Sequence, residues 1–402
     1  MPHPGLRAAL LAFLVSAPAG TAVAQVGSST LDTDQLATAL ITANAGVKAE
    51  DIVLITGTAQ DIQLLEDLAV QARRVGAHPL ILVGSDRLER RMFVDVPSEL
   101  DAQTPKLALE LARIVDVHIN VPTENDPGLL ADIPAERFAA RGKTFMAVDA
   151  AIREHGRRYI ELNNELYPTD WRAGQFGLSR EQLSDLFWSA VQVEPERLRS
   201  AGEAIRSRLE NGSTVRITHP NGTDLEVGIE GRTAYVSDGV IDETDLAQGP
   251  GGRSVWLPAG EVYVTPVPGT ARGKVVVDRS FVEGQEVRDL TLEFQDGRLT
   301  SMTAASGLDR LKAMYDAADD GKAEFAVIDI GLNPSLATTE GRIRSWTPAG
   351  MVTVGIGGNT WAGGENAVNF GWAGHLAGAT VTIDGEPVVE DGSLKVASVG
   401  GN

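Results

Sequence analysis

The chain has 402 residues, which is long enough for two cores of ordinary size. Its 55 Asp and Glu residues against 35 Lys and Arg residues give a formal net charge of −20, which argues against nucleic acid or an anionic membrane surface as a partner. The sequence contains no cysteine, so disulfides, thiolate-bound metals and cysteine nucleophiles are excluded.

Residues 1–24 have the pattern of a secretory signal peptide. His3 and Arg7 flank the start of an apolar run, AALLAFLV, and Ala22 and Ala24 occupy the −3 and −1 positions of a small-residue cleavage site. The pattern predicts a mature chain that begins at Gln25, is periplasmic or secreted, and has no membrane attachment after cleavage. The apolar run is too short for a mature transmembrane helix, and the alternative is an uncleaved N-terminal anchor.

Residues 25–208 are predicted to form an α/β domain with a parallel sheet. Short apolar runs, two of them ending in glycine, alternate with segments of helical periodicity, as in βαβ units. The predicted strands are 51–58, 78–84 and 115–122, and the predicted helices are 26–47, 59–76, 104–113, 134–166 and 178–208.

Residues 209–402 are predicted to form a second, β-rich α+β domain. Turn signals at Asn221–Gly222, Asp296–Gly297 and Asp384–Gly385 separate strand-like runs and indicate antiparallel hairpins. Further strands are predicted at 261–267, 273–281, 325–333 and 350–358, with one helix at 306–319.

Several common catalytic motifs are missing from the sequence. It has no G-x-x-x-x-G-K-[ST] loop, no G-x-G-x-x-G turn after the first strand, no G-x-S-x-G elbow and no H-E-x-x-H pair. These gaps argue against a nucleotide-binding enzyme, a standard serine hydrolase and a zincin.

The segment 355–378 is the strongest candidate for a binding pocket. It holds eight glycines, which allow a close approach of backbone to ligand, together with tryptophans and amides that supply apolar walls and hydrogen bonds. The alternative is a set of tight turns whose tryptophans belong to the core. The candidate pocket residues are Asn359, Trp361, Glu365, Asn366, Trp372 and His375.

Two carboxylates in apolar surroundings are the candidate catalytic and metal-binding residues. Asp329 lies in the run VIDIG, where its neighbours predict burial, and a buried carboxylate needs a partner or a metal. The alternative partner is Arg342 or Arg344. Glu261 begins a predicted strand, and the alternative for it is an exposed strand start.

The second half resembles the thermophilic aminopeptidase family of metallopeptidases, of the aminopeptidase T and leucyl aminopeptidase type. The similar blocks are NGTDLEVGIEGR, LPAGEVYVTPVPGTARGKVVVD, LTLEFQDGRLTSMTA, VIDIGLNP, GMVTVGIGGN, GGEN and TIDGEPVVEDG. The resemblance implies the two-domain fold described above, a pair of divalent metal ions and release of N-terminal residues from peptides.

The resemblance also implies positions for the metal ligands, and most of them are replaced in this sequence. Glu261 matches one Glu ligand, whereas the second Glu position holds Val327, with Asp329 two residues further on as a substitute on the same strand face. The family's His position holds Thr353. Its H-x-D pair falls on Gly371 and Ala373, four residues or fewer before His375.

The resemblance therefore leaves three functions open. The first is an exported aminopeptidase-like metallohydrolase, active or catalytically degenerate, that uses Glu261 and Asp329 on zinc, cobalt or manganese. The second is a metal-free protein on the same scaffold, either a repurposed enzyme or a binder of a peptide or small molecule. The third is a single-metal oxygenase, because some relatives of this fold act on aromatic rings. The resemblance also implies a homodimer.

Overall fold

Helices and strands alternate through the first half of the chain in the computed structural model, which describes residues 32–122, 126–337 and 341–395. The predicted signal peptide and its cleavage site lie outside these ranges. The helices of this half are α1 (Thr33–Ala39), α2 (Ile62–Arg74), α3 (Asp86–Val94), α4 (Lys106–Ile114), α5 (Ala135–His155), α6 (Asp170–Gln175), α7 (Arg180–Val191) and α8 (Pro195–Asn211). The strands are β1 (Ile52–Thr58), β2 (His78–Gly84), β3 (Val117–Val121) and β4 (Arg158–Leu162).

Two long helices predicted from the sequence are each interrupted. The helix predicted over 134–166 ends at His155, because Gly156 adopts a left-handed conformation (φ 82°) and caps α5, and the chain then enters β4. The helix predicted over 178–208 is two helices, because Pro195 cannot continue α7 and instead begins α8 at its first turn.

The second half is rich in antiparallel strands, as the sequence predicts. Its strands are β5 (Thr214–His219), β6 (Thr223–Gly228), β7 (Ala234–Ser237), β8 (Ser254–Leu257), β9 (Glu261–Val264), β10 (Arg272–Val282), β11 (Gln285–Gln295), β12 (Arg298–Thr303), β13 (Phe325–Gly331), β14 (Val352–Gly357), β15 (Gly371–Leu376), β16 (Thr380–Ile383), β17 (Glu386–Glu390) and β18 (Ser393–Leu394). Its helices are α9 (Glu243–Ala247), α10 (Asp309–Ala317) and α11 (Pro334–Ala337).

The strands form three sheets. The parallel sheet has the order β2-β1-β3-β4-β8, so its last strand comes from the second half of the sequence. An eight-stranded sheet has the order β12-β11-β10-β6-β5-β16-β17-β18, and a five-stranded antiparallel sheet has the order β15-β14-β13-β9-β7. The α/β and β-rich fold class is therefore confirmed, and the domain boundary at 208/209 stays a prediction.

The face of the parallel sheet on which Tyr159 and Glu161 lie is polar near its middle. Thr56 donates to Asn120 Oδ1 at 2.7 Å, and Asn120 donates to the Tyr159 hydroxyl at 3.0 Å. Tyr159 in turn donates to Glu161. Parallel strands covered on both faces are usually apolar on both, so a polar face indicates that β3 and β4 border a cleft.

The main hydrophobic core includes residues of all three sheets and of the helices that pack on them. Ile55 and Ile160 of the parallel sheet are fully buried, as are Val262 and Val352 of the five-stranded sheet. This apolar contact fixes the frame that carries the cleft. Within the described ranges, no helix is both long and apolar enough to cross a bilayer.

Candidate functional site

One row of side chains crosses the five-stranded sheet. Tyr263, Asp329, Thr353 and His375 occupy directly opposed positions on β9, β13, β14 and β15. Opposed residues in antiparallel strands point to the same face, so this register brings together residues far apart in the sequence. Glu261 lies two residues before Tyr263 and therefore on that same face.

The next row on this face carries no polar side chain. Val327 lies opposite Gly355, and Gly355 lies opposite Ala373. Gly371 lies on the same face of β15, opposite Gly357. The family resemblance places metal ligands at Val327, Ala373 and Gly371, and small or apolar residues occupy all three positions.

The loop after β4 supplies two further polar residues to this face. Asn164 and Glu165 both have left-handed backbones, with φ of 43° and 60°. Two consecutive non-glycine residues in this region cost free energy, and such strain concentrates at functional sites. The fold holds them there, because Ser345 Oγ donates to the Asn164 carbonyl at 2.9 Å and the Asn164 amide donates to the Pro258 carbonyl at 3.0 Å.

Glu261 is buried, with 2% of its surface exposed, so the alternative of an exposed strand start is wrong. Gly260 (φ 119°) makes the turn that brings Glu261 under the Asn164 amide, which donates to its carboxyl group. Burial raises the pKa of Glu261 to about 8, against the opposing effect of the Asn164 hydrogen bond. Glu261 is therefore largely protonated at neutral pH.

Asp329 is completely buried, and within the part of the chain that the structure describes neither of its carboxyl oxygens has a hydrogen-bond partner. The alternative, an ion pair with Arg342 or Arg344, is wrong, because neither arginine bonds to these oxygens and Arg344 instead faces Asp278 at 3.8 Å. Burial, followed by repulsion from Glu261, raises the pKa of Asp329 well above its ordinary value. Burial therefore favours the protonated form of the Asp329 carboxyl group.

His375 links the sheet to the β4 loop. Its Nδ1 lies 2.8 Å from Thr353 Oγ1, and its Nε2 lies 3.0 Å from Glu165 Oε2. Burial opposes the charged form of Glu165, but hydrogen bonds from His375 and the Trp346 side chain lower its pKa below the ordinary value. Glu165 is therefore the ionised carboxylate of the site.

The space above this face is a pocket of about 370 Å³, hereafter the acidic pocket. Its floor includes Val327, Gly355 and Ala373, the three residues of the apolar row. Three glutamates line it, and none of the described residues that line it is basic. These glutamates are Glu161, Glu165 and Glu261.

Four tryptophans form the walls of the acidic pocket. The Trp361 ring lies 5.3 Å from that of Trp256 and 6.0 Å from that of Trp346, both edge-on, and Trp372 completes the lining. Aromatic walls with carboxylates and no basic group favour a ligand that carries a positive charge beside an apolar part.

The structure brings only some of the predicted pocket residues together. Trp361 and Trp372 line the acidic pocket with Glu261, and His375 lines a neighbouring cavity that Glu165 and Trp372 also border. Asp329 belongs to neither lining. The other three predicted residues, Asn359, Glu365 and Asn366, line a separate cavity of about 380 Å³.

The two asparagines of that separate cavity are engaged with backbone. Asn359 donates to the Ala326 carbonyl at 3.1 Å, and Asn366 donates to the Gly321 and Gly357 carbonyls at 2.7 and 2.9 Å. Their amides fix the chain between β14 and β15, which is the tight-turn alternative considered from the sequence.

Sequence reasoning missed Glu161, Glu165 and Trp256, which line the acidic pocket. Glu161 and Trp256 lie opposite each other on β4 and β8, strands that the sequence analysis did not identify. The alternation in RYIEL was a usable signal for β4. The position of Glu165 beside His375 depends on contacts 210 residues apart, which no sequence spacing indicates.

Comparison with known protein families identifies relatives of this chain. The sequence model of the thermophilic metalloprotease (M29) family matches residues 30–335, which is more than half of the chain. The chain belongs to this family. No curated protein matches the sequence. The family and the fold support a peptidase-like function, and the family name indicates a divalent metal.

Two solved structures share the fold over most of their length. Wild-type AmpT from Thermus thermophilus is 18% identical with a TM-score of 0.66, and the match covers 90% of this chain and 99% of AmpT. The 2,5-dihydroxypyridine dioxygenase from Pseudomonas putida KT2440 is 14% identical with a TM-score of 0.56, covering 91% of this chain and 97% of the dioxygenase. At these identities the likeness shows the fold alone.

The side chains present do not fit a pair of metal ions at the position that the family implies. Across the described ranges, no group of three or more His, Asp or Glu side chains is arranged to hold a metal. Both ring nitrogens of His375 already have partners, and Glu261 shares its carboxyl group with Asn164. Stable zinc sites need three or four such ligands.

Proposed function

We propose that this chain is an exported M29-family protein that binds the amino end of short peptides in the acidic pocket and does not hydrolyse them by metal catalysis. One observation carries the proposal. Val327, Gly371 and Ala373 stand where the resemblance implies ligands, and the volume beside them is a pocket walled by tryptophans. Loss of metal-binding side chains at those positions leaves room for an organic ligand.

The chemistry of the acidic pocket supports a protonated amine as the bound group. Glu165 supplies a carboxylate whose charge is stabilised by its hydrogen bonds. Tryptophan rings attract a cation through their π faces, by about 2 kcal/mol when the cation is desolvated. Trp346 and Trp361 therefore support Glu165 in holding an ammonium group and also contact an apolar first side chain.

A direct test uses protein that begins at Gln25, treated with EDTA, and the tripeptide Leu-Gly-Gly in a calorimetric titration. We expect binding that is unchanged by EDTA and lost in Ala373→Leu, because the larger side chain grows from the pocket floor. N-acetylated Leu-Gly-Gly should bind at least about tenfold more weakly, since it has no ammonium group for the carboxylate. Equal binding of both peptides, or no binding of either, would contradict the proposal.

A matched control places the same alanine-to-leucine substitution outside the acidic pocket. Ala39→Leu adds the same bulk at an exposed position on α1, outside the acidic pocket and the cavities that adjoin it, and should bind Leu-Gly-Gly like the wild type. Circular dichroism shows whether each variant is folded. Retained binding in Ala373→Leu would place the ligand elsewhere.

A second candidate is an aminopeptidase that removes N-terminal residues with a metal on Glu261 and Asp329. Its support is the pair of buried carboxyl groups on one sheet face, of which Asp329 has no hydrogen-bond partner among the described residues. Release of free leucine from Leu-Gly-Gly in the presence of zinc, cobalt or manganese would favour it.

Export and a homodimer complete the proposal. The signal pattern of residues 1–24 supports a periplasmic or secreted protein, and sequencing the N-terminus of protein recovered outside the cytoplasm should give Gln25. The homodimer follows from the resemblance, and sedimentation equilibrium would test it.

A further inference from the structure

A larger cavity joins the acidic pocket along one wall. It has a volume of about 980 Å³ and shares four lining residues with the acidic pocket. The shared residues are Trp256, Gly358, Trp361 and Gly371. The two spaces therefore lie side by side, with Trp256 and Trp361 bordering both, and are together called the cleft.

Three arginines line the larger cavity, which is hereafter the arginine cavity: Arg153, Arg157 and Arg253. Among the described residues, none of the three makes a salt bridge, in a chain with 20 more acidic than basic residues. Several other arginines of the first half pair with carboxylates, such as Arg158 with Asp51 at 2.5 Å, although Arg73 and Arg87 also have no salt bridge among the described residues. Arg153, Arg157 and Arg253 differ from these in lining one cavity together.

The arginines have few alternative partners. Arg157 Nε is buried without a hydrogen-bond partner in the described structure. Among the described residues, Arg153 donates to the Thr360 hydroxyl and Arg253 to the Arg153 carbonyl, both at 3.3 Å. Asp149 is the one carboxyl group among the described lining residues; burial raises its pKa above the ordinary value, and the charges of Arg153 and Arg157 oppose that rise. The lining thus has one carboxyl group against three guanidinium groups. A buried guanidinium group without partners is costly unless a ligand supplies the acceptor.

We propose that Arg153, Arg157 and Arg253 form a carboxylate subsite, so that the cleft binds a short free peptide with its amino end in the acidic pocket and its carboxyl end in the arginine cavity. This inference rests on the proposed function and adds the second anchor. Arginine suits a carboxylate because its planar N–H groups donate to both oxygens.

Strand β4 sets the length of the ligand. Arg157 comes directly before this strand and lines the arginine cavity, and Glu161 lies on the strand and lines the acidic pocket. Four residues of extended chain span roughly 13 Å at about 3.3 Å per residue. Arg157 and Glu161 mark the two spaces along one strand, and the ammonium anchor Glu165 follows that strand, so the cleft suits a short peptide such as a tripeptide.

The test compares three forms of one tripeptide in calorimetric titrations of the whole mature chain: free, C-terminally amidated and N-acetylated Leu-Gly-Gly. We expect amidation to weaken binding at least about tenfold, because it removes a charge-assisted pairing with arginine. Arg157→Gln should reduce that ratio to about threefold or less, and Arg157→Lys should retain part of it.

Arg87→Gln is the matched control, because it removes the same charge from an exposed arginine that lies outside both linings. It should keep the wild-type ratio. If the wild type binds free and amidated peptide equally while N-acetylation still weakens binding, the subsite is refuted and the proposed function survives. If amidation matters and acetylation does not, the subsite stands and the amine pocket is refuted. If no form binds, both proposals fail.

Discussion

The two ends of the cleft differ in how they are built. The acidic pocket lies on the five-stranded sheet, where apolar and small residues replace the ligands that the family implies. The arginine cavity is lined by α5 and the start of β4 from the first half of the chain and, from the second half, by residues that include Arg253 and Thr360. The contrast is one of charge, because glutamates line the acidic pocket and arginines line the neighbouring cavity.

The largest expected effect comes from rebuilding the ligands at the acidic end. A variant with Val327→Glu, Thr353→His, Gly371→His and Ala373→Asp restores the residue types that the resemblance implies. We expect its zinc affinity to exceed that of the wild type by at least about a thousandfold, since complete zinc sites bind with about 10–16 kcal/mol. Competition with a fluorescent chelator measures this. Equal zinc affinity in the two proteins would mean that the implied positions are not the ones that hold metal.

The next largest effect is expected for a tryptophan that lines both the acidic pocket and the arginine cavity. Trp361→Ala removes a ring that contacts Trp256, Tyr263 and Trp346, and we expect a loss of about 3–5 kcal/mol in the free energy of unfolding. Peptide binding should be lost as well. Urea denaturation checks the first effect, with Trp171→Ala, which borders neither end of the cleft, as the control for binding. Unchanged peptide affinity in Trp361→Ala would separate the ligand from this wall.

A smaller effect concerns how the stability of the folded chain depends on pH through the buried carboxyl group of Asp329. Burial favours the protonated form of Asp329 in the folded chain, whereas in the unfolded chain the carboxyl group ionises above about pH 4. The folded state then binds the extra proton, so the wild type loses stability as pH rises, by up to roughly 1.4 kcal/mol per pH unit. Asp329→Asn does not titrate, so its stability relative to the wild type should increase from pH 5 to pH 9.

Urea denaturation at pH 5, 7 and 9 measures this difference. Glu365→Gln removes an exposed carboxyl group and serves as the control, for which we expect no such trend. The contrary result is a free energy of unfolding of Asp329→Asn that differs from that of the wild type by a constant amount at all three pH values, or a difference that changes sign at pH 9. Either result would show that Asp329 is ionised and has a partner.

The smallest effect concerns the charge of Glu165, one of the three glutamates that line the acidic pocket. Glu165→Gln keeps the side-chain shape but removes the charge that His375 stabilises. We expect the affinity for free Leu-Gly-Gly to fall about tenfold, the size of one charge-assisted hydrogen bond, and the ratio between free and amidated peptide to stay unchanged. A change in that ratio would show that the two ends of the cleft are not independent.

The sequence predicts the frame of the molecule better than the cleft. Strands β1 and β2 are apolar runs that end in glycine, and hairpins such as β5–β6 follow from Asn221–Gly222, so local signals define them. Strand β4 was missed because one of its faces is polar where it borders the cleft. Strand β15 was missed because GWAGHL has few residues that favour strands.

The candidate site was also predicted only in part, because local sequence signals reveal some of its residues and not others. Glu261 and Asp329 were identified from their apolar neighbours, which is a local signal of burial. Glu165 and Arg157 give no local signal, because a turn with a left-handed backbone and a missing salt bridge depend on the folded chain. The pairing register of β13, β14 and β15 decides which residues meet. This register depends on contacts between strands far apart in the sequence, so composition does not predict it.

The most direct test of the central claim is native mass spectrometry of the wild-type mature chain after incubation with excess zinc, cobalt or manganese, with and without Leu-Gly-Gly. We expect no stoichiometric metal adduct and a one-to-one complex with the intact tripeptide. A chain that carries two bound metal ions and releases free leucine from the tripeptide would contradict it.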